Sequence, residues 1–148
     1  MLKNIKNDLL YLLGILNSIA KIKLYSDKYL TPDDLFNAND QLNFNACLNL
    51  LTNIGENANK ISNELKNKYQ KIEWYKIVGF RNRIVHDYQN IDILTTCHII
   101  KIFLTTLEED INKIIESELK SGNFDKEEYN TAKISDFYKY INFNNIKA

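Results

Sequence analysis

The chain has 148 residues, 45% of them hydrophobic and 26% charged, and its 19 basic and 19 acidic side chains cancel to a formal charge of zero. That is the size and composition of one ordinary globular domain, able to bury most of its unfolded surface without a disulfide or metal staple. The charge balance excludes nucleic-acid binding by bulk electrostatics, although it leaves room for a local basic site.

One proline and four glycines in the whole chain exclude a sandwich or barrel, which needs turn residues every ten positions or so. Cys47 and Cys97 form neither a CxxC pair nor a secreted framework. Each sits inside an apolar helical pattern and reads as a buried free thiol. The longest apolar run near the start, around Leu9 to Leu16, falls short of membrane-spanning length, and no small-residue cleavage site follows it. A soluble, cytoplasmic protein with no membrane contact is expected.

In chain order, Leu2, Ile5, Leu9, Leu12, Leu16, Ile19 and Ile22 step by three and four, predicting a first helix of between five and six turns with one buried face. After a break at Tyr25–Leu30, Thr31-Pro32-Asp33-Asp34 reads as a helix start, with an N-cap Thr, Pro in the first turn and carboxylates at the positive end of the dipole. That helix is brief, because Asn37–Asp40 reads as another break and cap. A second long helix is predicted from about Asp40 to Tyr69 on the stripe Phe44, Cys47, Leu51, Ile54, Ala58, Ile61 and Leu65. A third starts near Glu73, carries Trp74, Ile77, Val78, Ile84 and Val85, and stops around Asp87, before the loop Tyr88-Gln89-Asn90. The fourth, about Ile91 to Leu119, carries Leu94, Cys97, Ile100, Phe103, Leu104, Leu107, Ile111 and Ile114 and ends at Ser121-Gly122-Asn123.

Four amphipathic helices with short connections predict an all-α, antiparallel four-helix bundle with short extra helices and a C-terminal extension. Residues 1–120 are expected to form the helical domain. Residues 121–148 are expected to form a polar, Tyr- and Phe-bearing tail with one short helix between Asp125 and Tyr140. The fold alone does not name a chemistry.

The rare residues are more informative. Only two arginines occur, Arg81 and Arg83, against seventeen lysines, and His86, one of two histidines, follows within five residues. Arginine offers a planar, permanently charged fork that matches a phosphate, and lysine does not. Histidine can take or give a proton near neutral pH. With Tyr88 two residues further on, this is a kit for phosphodiester chemistry that needs no metal. Positions five apart on an ideal helix are about 140° apart, so Arg81 and His86 converge only at a distorted helix end or across two pooled protomers.

The segment Trp74-Tyr75-Lys76-Ile77-Val78-Gly79-Phe80-Arg81-Asn82-Arg83-Ile84-Val85-His86-Asp87-Tyr88 resembles the signature of the HEPN superfamily, in its HepT-like branch: Arg-Asn, three residues, His, any residue, Tyr. Upstream, Ile54-Gly55-Glu56-Asn57-Ala58-Asn59-Lys60 is similar to that branch's Gly-Glu-Ala-Ala stretch, with Asn57 in place of the first Ala. The resemblance covers about residues 1–118, and the tail has no counterpart in it.

The resemblance implies a HEPN-like bundle acting as the toxin of a type VII toxin–antitoxin pair, a metal-independent endoribonuclease without a cofactor whose two motifs line the cleft of a homodimer. Carried over, Arg81 would bind the scissile phosphate and stabilise the transition state. His86 would be general base on the ribose 2′-hydroxyl or acid to the leaving 5′-oxygen, which gives a 2′,3′-cyclic phosphate and no action on DNA. Asn82 would orient the site or hold the helix end. The family's antitoxin, a minimal nucleotidyltransferase, adenylylates the motif tyrosine, here Tyr88, where a bulky anionic AMP would repel an RNA phosphate.

Glu56 lies close to the apolar face of the second helix, where it is a candidate partner for Arg81 or Arg83, with solvent exposure as the alternative. His98, with no Cys/His cluster around it, reads as structural. Glu108-Glu109-Asp110 reads as a solvated charge run. Asp33 and Asp34 are explained by capping, and no metal-ligand spacing or Gly-rich phosphate loop exists. Tyr129, Phe137, Tyr138, Tyr140 and Phe143 are expected to dock back on the bundle rather than stack on bases. Lys71 and Lys76 are candidate helpers of a local basic site. Two further readings compete with the ribonuclease: a non-catalytic substrate- or nucleotide-binding subunit of a nucleotidyltransferase complex, and a motif that serves dimerisation only.

Overall fold

A computed structural model describes residues 5–148, and among them there are helices and no strands. The first apolar stripe becomes α1 (Leu9–Ser26), preceded by a short 3-10 turn over Ile5–Asn7. Leu2, the first stripe position, lies outside the described residues. Leu9, Leu12, Leu16, Ile19 and Ile22 are buried as their spacing requires, but so are Leu13 and Ile15 on the other side. A helix buried nearly all round is the centre of a bundle. The stretch Ile5–Ser26 is in fact long and apolar enough, by length and composition, to cross a membrane. This departs from the expectation set by the shorter apolar run; 56% of the stretch is buried against the rest of the bundle, while Leu10 and Leu24 face solvent.

α2 (Pro32–Asn37) begins as expected, with Thr31 Oγ1 accepting from the Asp34 N–H at 3.1 Å. The chain then reverses through Asn39, Asp40 and Gln41, all in the left-handed region at φ of 50°, 57° and 70°. Asn39 donates to Asn43 and Asn43 to the Tyr25 carbonyl, which ties the reversal to the end of α1. Because the reversal uses residues 39–41, α3 starts at Leu42 rather than at Asp40.

The second predicted helix is two helices, α3 (Leu42–Lys60) and α4 (Asn63–Lys68). Ile61 and Ser62 are extended between them. The Ser62 Oγ accepts from the Leu65 N–H and donates to the buried Asp8 carboxylate at 2.5 Å, while the Ser62 N–H donates to the same carboxylate at 2.9 Å. A cap that also satisfies a buried anion outweighs one more turn of helix. The same contact fixes the start of α1 beside the end of α3, so the two run antiparallel.

α5 (Trp74–His86) lies against α3. It buries Trp74, Ile77 and Ile84; Val85, expected among the apolar contacts, is exposed. The fourth predicted helix is α6 (Ile93–His98), a π-helical stretch over Ile99–Phe103, and α7 (Leu104–Lys120). Leu94 is solvent-exposed rather than buried: it lies in the first turn of α6, capped by Asp92, where no neighbouring helix covers it. α7 runs antiparallel to α1: the Lys101 Nζ donates to the Ser26 carbonyl and Lys23 pairs with Glu108 at 2.8 Å. With α1, α3, α5 and the α6–α7 unit as its four long members, this is the antiparallel helical bundle that the patterning predicts.

The buried carboxylate of Glu118 locks α7 to the end of α4. It accepts from Lys68 Nζ at 2.8 Å, Tyr69 Oη at 2.5 Å and Asn123 Nδ2 at 2.9 Å. Beyond it, α8 (Lys126–Lys133) and two 3-10 turns carry the chain back along α1 and α7. Tyr129, Ile141 and Ile146 are buried there, Tyr129 meets Phe143 edge to face at 5.8 Å, and the Lys147 N–H donates to Glu116. Tyr138 and Phe143 pack partly against the core, whereas Phe137 and Tyr140 face solvent. Each fully buried Leu or Ile of this core contributes about 1.5–3 kcal/mol.

Candidate active site

α5 presents two distinct stripes. Trp74, Ile77, Arg81 and Ile84 recur by three and four and face α3. Tyr75, Gly79, Asn82 and His86 recur as four, three, four and face outward. Arg81 and His86 therefore sit on different stripes of one helix.

Arg81 reaches the α3 side because of Gly55. A Cβ built on Gly55 would lie 2.2 Å from the Arg81 Cβ, so no other residue lets α5 approach this closely. The arginine side chain, 28% exposed, spreads its fork between two acceptors: Nη2 donates to Glu56 Oε1 at 3.3 Å and Nη1 to Asn82 Oδ1 at 3.0 Å. Its Nε is buried without a partner among the described residues. The guanidinium is thus held between Glu56 of α3 and Asn82 of its own helix and keeps part of its surface open to solvent.

His86 is the last residue of α5 and is exposed, and its imidazole makes no hydrogen bond to Arg81 or to any other described residue. Tyr88 follows in a 3-10 turn. Its hydroxyl donates to Asn45 Oδ1 at 2.5 Å, which ties the end of the motif to the first turn of α3. Asn45 is a site neighbour that sequence reasoning missed; nothing local distinguishes it from the many other asparagines. Arg81, Asn82 and Glu56 are brought together, Tyr88 is joined to Asn45, and Arg83 stands apart on a third strip of the helix.

Arg83 belongs to a cleft of about 450 Å³ between α5 and the π-helical stretch, floored by Leu51 and Ile54 of α3. Phe80 and Phe103 form its walls, and Lys76, Arg83 and His98 stand at its mouth. His98, expected to be structural, is exposed at this rim. Arg83 also lies near Asp92, whose carboxyl is held below the usual range by the Thr95 hydroxyl first, against a burial penalty, with further help from backbone N–H groups and Arg83. Lys76 pairs with Glu73 at 2.7 Å, and that hydrogen bond raises the pKa of the lysine and lowers that of the glutamate. Lys71 pairs with Asp110 at 3.4 Å. Two carboxylates of the 108–110 run are therefore in ion pairs, not simply solvated.

Burial pushes the Cys47 thiol up to about 12, with Cys97 adding to the effect, and burial also raises Cys97. Burial and a raised pKa suit neither thiol to nucleophilic chemistry. Among the described residues, no group of three or more His, Cys, Asp or Glu side chains is placed to hold a metal ion.

Residues 15–114, which include α3, α5 and the whole Arg81-to-Tyr88 segment, match the family described as ribonuclease HepT-like. The chain is 31% identical over 123 residues to a protein of Methanocaldococcus jannaschii named "Gamma-glutamylcyclotransferase and putative RNase", covering 83% of this chain and 53% of that one. Two shorter proteins of the same organism, each named "Putative RNase", are 30% identical over 70 residues and 33% identical over 69. Each of these alignments covers 47% of this chain, and they cover 60% and 57% of the two relatives. The chain thus spans between about half and three-fifths of the length of these relatives. No solved structure matches it. The match to the family covers more than half of the chain and includes the complete motif helix, so this chain belongs to the HepT-like ribonuclease family.

Proposed function

We propose that this protein is the toxin of a HepT/MntA-like, type VII toxin–antitoxin pair and cleaves RNA as a metal-independent endoribonuclease. The observation that carries the reading is the contrast between Arg81 and His86. One is a guanidinium packed on Gly55 and paired with Glu56 of α3, and also bonded to its neighbour Asn82; the other is an imidazole that no described residue engages, at the end of the same helix. A fixed cation suits a phosphate whose charge grows in the transition state, and an unengaged imidazole suits proton transfer.

The reaction balances with these groups alone. The 2′-oxygen attacks the adjacent phosphorus as His86 accepts its proton. The O2′–P bond forms, the P–O5′ bond breaks, and the leaving oxygen takes a proton to give a 5′-hydroxyl and a 2′,3′-cyclic phosphate. Because Arg81 and His86 occupy different stripes of α5, a homodimer that pools two motifs is the assembly that supplies both a base and an acid. Arg83 would add charge at the cleft mouth. Tyr88, with its ring half-exposed and its hydroxyl on the surface, is the acceptor for AMP from a minimal nucleotidyltransferase antitoxin.

The test is cleavage of end-labelled RNA in EDTA by the wild-type protein and by His86→Ala, after intact mass shows that Tyr88 carries no AMP. Cyclic-phosphate ends from the wild type alone support the reading. RNA binding without cleavage by either protein selects the non-catalytic binding subunit instead.

A further inference from the structure

Three of the four glycines have an internal reason to be glycine. Gly55 admits Arg81, a Cβ on Gly14 would meet the Asn57 amide at 2.9 Å, and Gly122 has φ of +80°. Gly79 has none. It lies in the interior of α5, where glycine costs about 1 kcal/mol relative to alanine, and a Cβ there would meet nothing within 4 Å. A glycine that the fold does not need, on an exposed helix face, suits the close approach of something outside the chain.

Its surroundings say what kind of thing. Gly79 lines both clefts that flank α5. One is the apolar cleft with Phe80 and Phe103 as walls and Lys76, Arg83 and His98 at its mouth. The other, of about 530 Å³, is more polar and is formed by Asn67, Gln70, Tyr75 and Asn82 among others. At Gly79 the ridge of side chains along α5 is interrupted by a residue with no side chain, which forms a low saddle between the two clefts. Tyr75, 71% exposed, borders this saddle on the stripe that also carries Asn82 and His86. The permanent cations lining the two clefts are Lys66, Lys76 and Arg83, and the one carboxylate, Glu73, is tied to Lys76. Arg83 stands at the mouth of the first cleft, with Asp92 near it. Cations with exposed aromatic faces are the recognition chemistry of a single-stranded nucleic acid.

We infer that a single strand of RNA crosses the motif helix at Gly79. Its bases enter the Phe80–Phe103 cleft on one side and meet Tyr75 on the other, and its backbone passes over the bare turn next to Asn82 and His86. This rests on the ribonuclease reading above and adds the path of the substrate to it.

The experiment is a graded series at position 79, Gly79→Ala, Gly79→Met and Gly79→Trp, in the full chain. It measures cleavage kinetics on a labelled single-stranded RNA, thermal midpoint and sedimentation. The inference expects KM to climb with side-chain size, by about tenfold or more for Met and Trp, while kcat stays within about threefold, the pattern of lost substrate binding. Thermal midpoints should stay at or above wild type, since each replacement is a better helix former with room for its Cβ. Cleavage by the wild type with KM unmoved across the series overturns the path and leaves the ribonuclease standing. A rise in KM that comes with loss of the wild-type oligomer also overturns it, because a second copy of the chain then occupies the saddle. Wild-type protein that neither binds nor cleaves the RNA removes the ribonuclease reading and the path together.

Discussion

The backbone of Gly55 is packed directly against the side chain of Arg81. Where a Cβ of residue 55 would be, the Arg81 Cβ already stands 2.2 Å away and its Cγ 2.7 Å away. The position of the guanidinium is thus set on α3, one helix away from the motif that contains it. Neither atom is the far end of a flexible side chain, so relief requires α5 to move.

Gly55→Ala is therefore expected to destabilise the fold by about 1–3 kcal/mol, the range for overpacking a tight contact, and, if Arg81 holds the scissile phosphate, to lower cleavage through its displacement. Gly14→Ala meets only the terminal amide of Asn57 and should cost less. Urea unfolding midpoints of the two variants, compared at equal m-value, check the order.

Arg81→Lys should not restore what Arg81→Ala loses. The guanidinium reaches Glu56 and Asn82 with two different nitrogens, and a single ammonium cannot span that geometry. If Arg81 holds the phosphate, both variants fall in kcat/KM by about 100-fold or more, as when one transition-state donor is removed. Steady-state cleavage assays of both proteins, with circular dichroism to show retained helix, decide this.

Glu118 makes the stability of the bundle depend on acid. Burial alone raises its pKa, but hydrogen bonds from Lys68, Tyr69 and Asn123 outweigh that and hold the carboxyl below its ordinary value of 4.5. A group whose folded pKa is depressed contributes stability that is complete above its unfolded value and disappears as pH falls through the folded one. The contribution should thus be present at neutral pH and fade below about pH 4.5. Glu118→Gln should lose about 1–3 kcal/mol at pH 7, as for a buried hydrogen bond to a charged group, and show a shallower decline in acid. Thermal melts of both proteins from pH 7 to pH 3 measure the difference.

Tyr88 donates its hydroxyl to Asn45, so if Tyr88 is the acceptor of AMP, transfer to that oxygen must first break the contact. An exposed hydrogen bond of this kind is worth about 0.5–1 kcal/mol, and Asn45→Ala should raise the rate of AMP transfer by roughly two- to fivefold. Intact-mass time courses with a minimal nucleotidyltransferase and ATP give the rates, with Tyr88→Phe as the unmodifiable control.

Much of the fold was legible in the sequence because the spacing of three and four is a local property. The stripes Leu9–Leu12–Leu16–Ile19–Ile22, Phe44–Cys47–Leu51–Ile54–Ala58 and Leu104–Leu107–Ile111–Ile114 are all buried. Thr31 before Pro32 marked the start of α2 for the same reason, since a cap and its N–H partner are three residues apart. The rarity of arginine and histidine drew attention to residues 81–88 because a side chain's chemistry is visible without its neighbours.

What the tertiary structure alone decided depends on residues far apart in the chain. The stripe runs unbroken from Ile54 to Leu65, yet the helix divides at Ser62 because Asp8, 54 residues earlier, takes both of its donors. Leu94 and Val85 match the apolar pattern and are exposed because no helix covers that side of their own. Gly55 and Gly79 are both mid-helix glycines in the sequence. One is compressed against Arg81 and the other opens to solvent between two clefts, because a helix has a periodicity of its own but acquires its neighbours only from the rest of the chain.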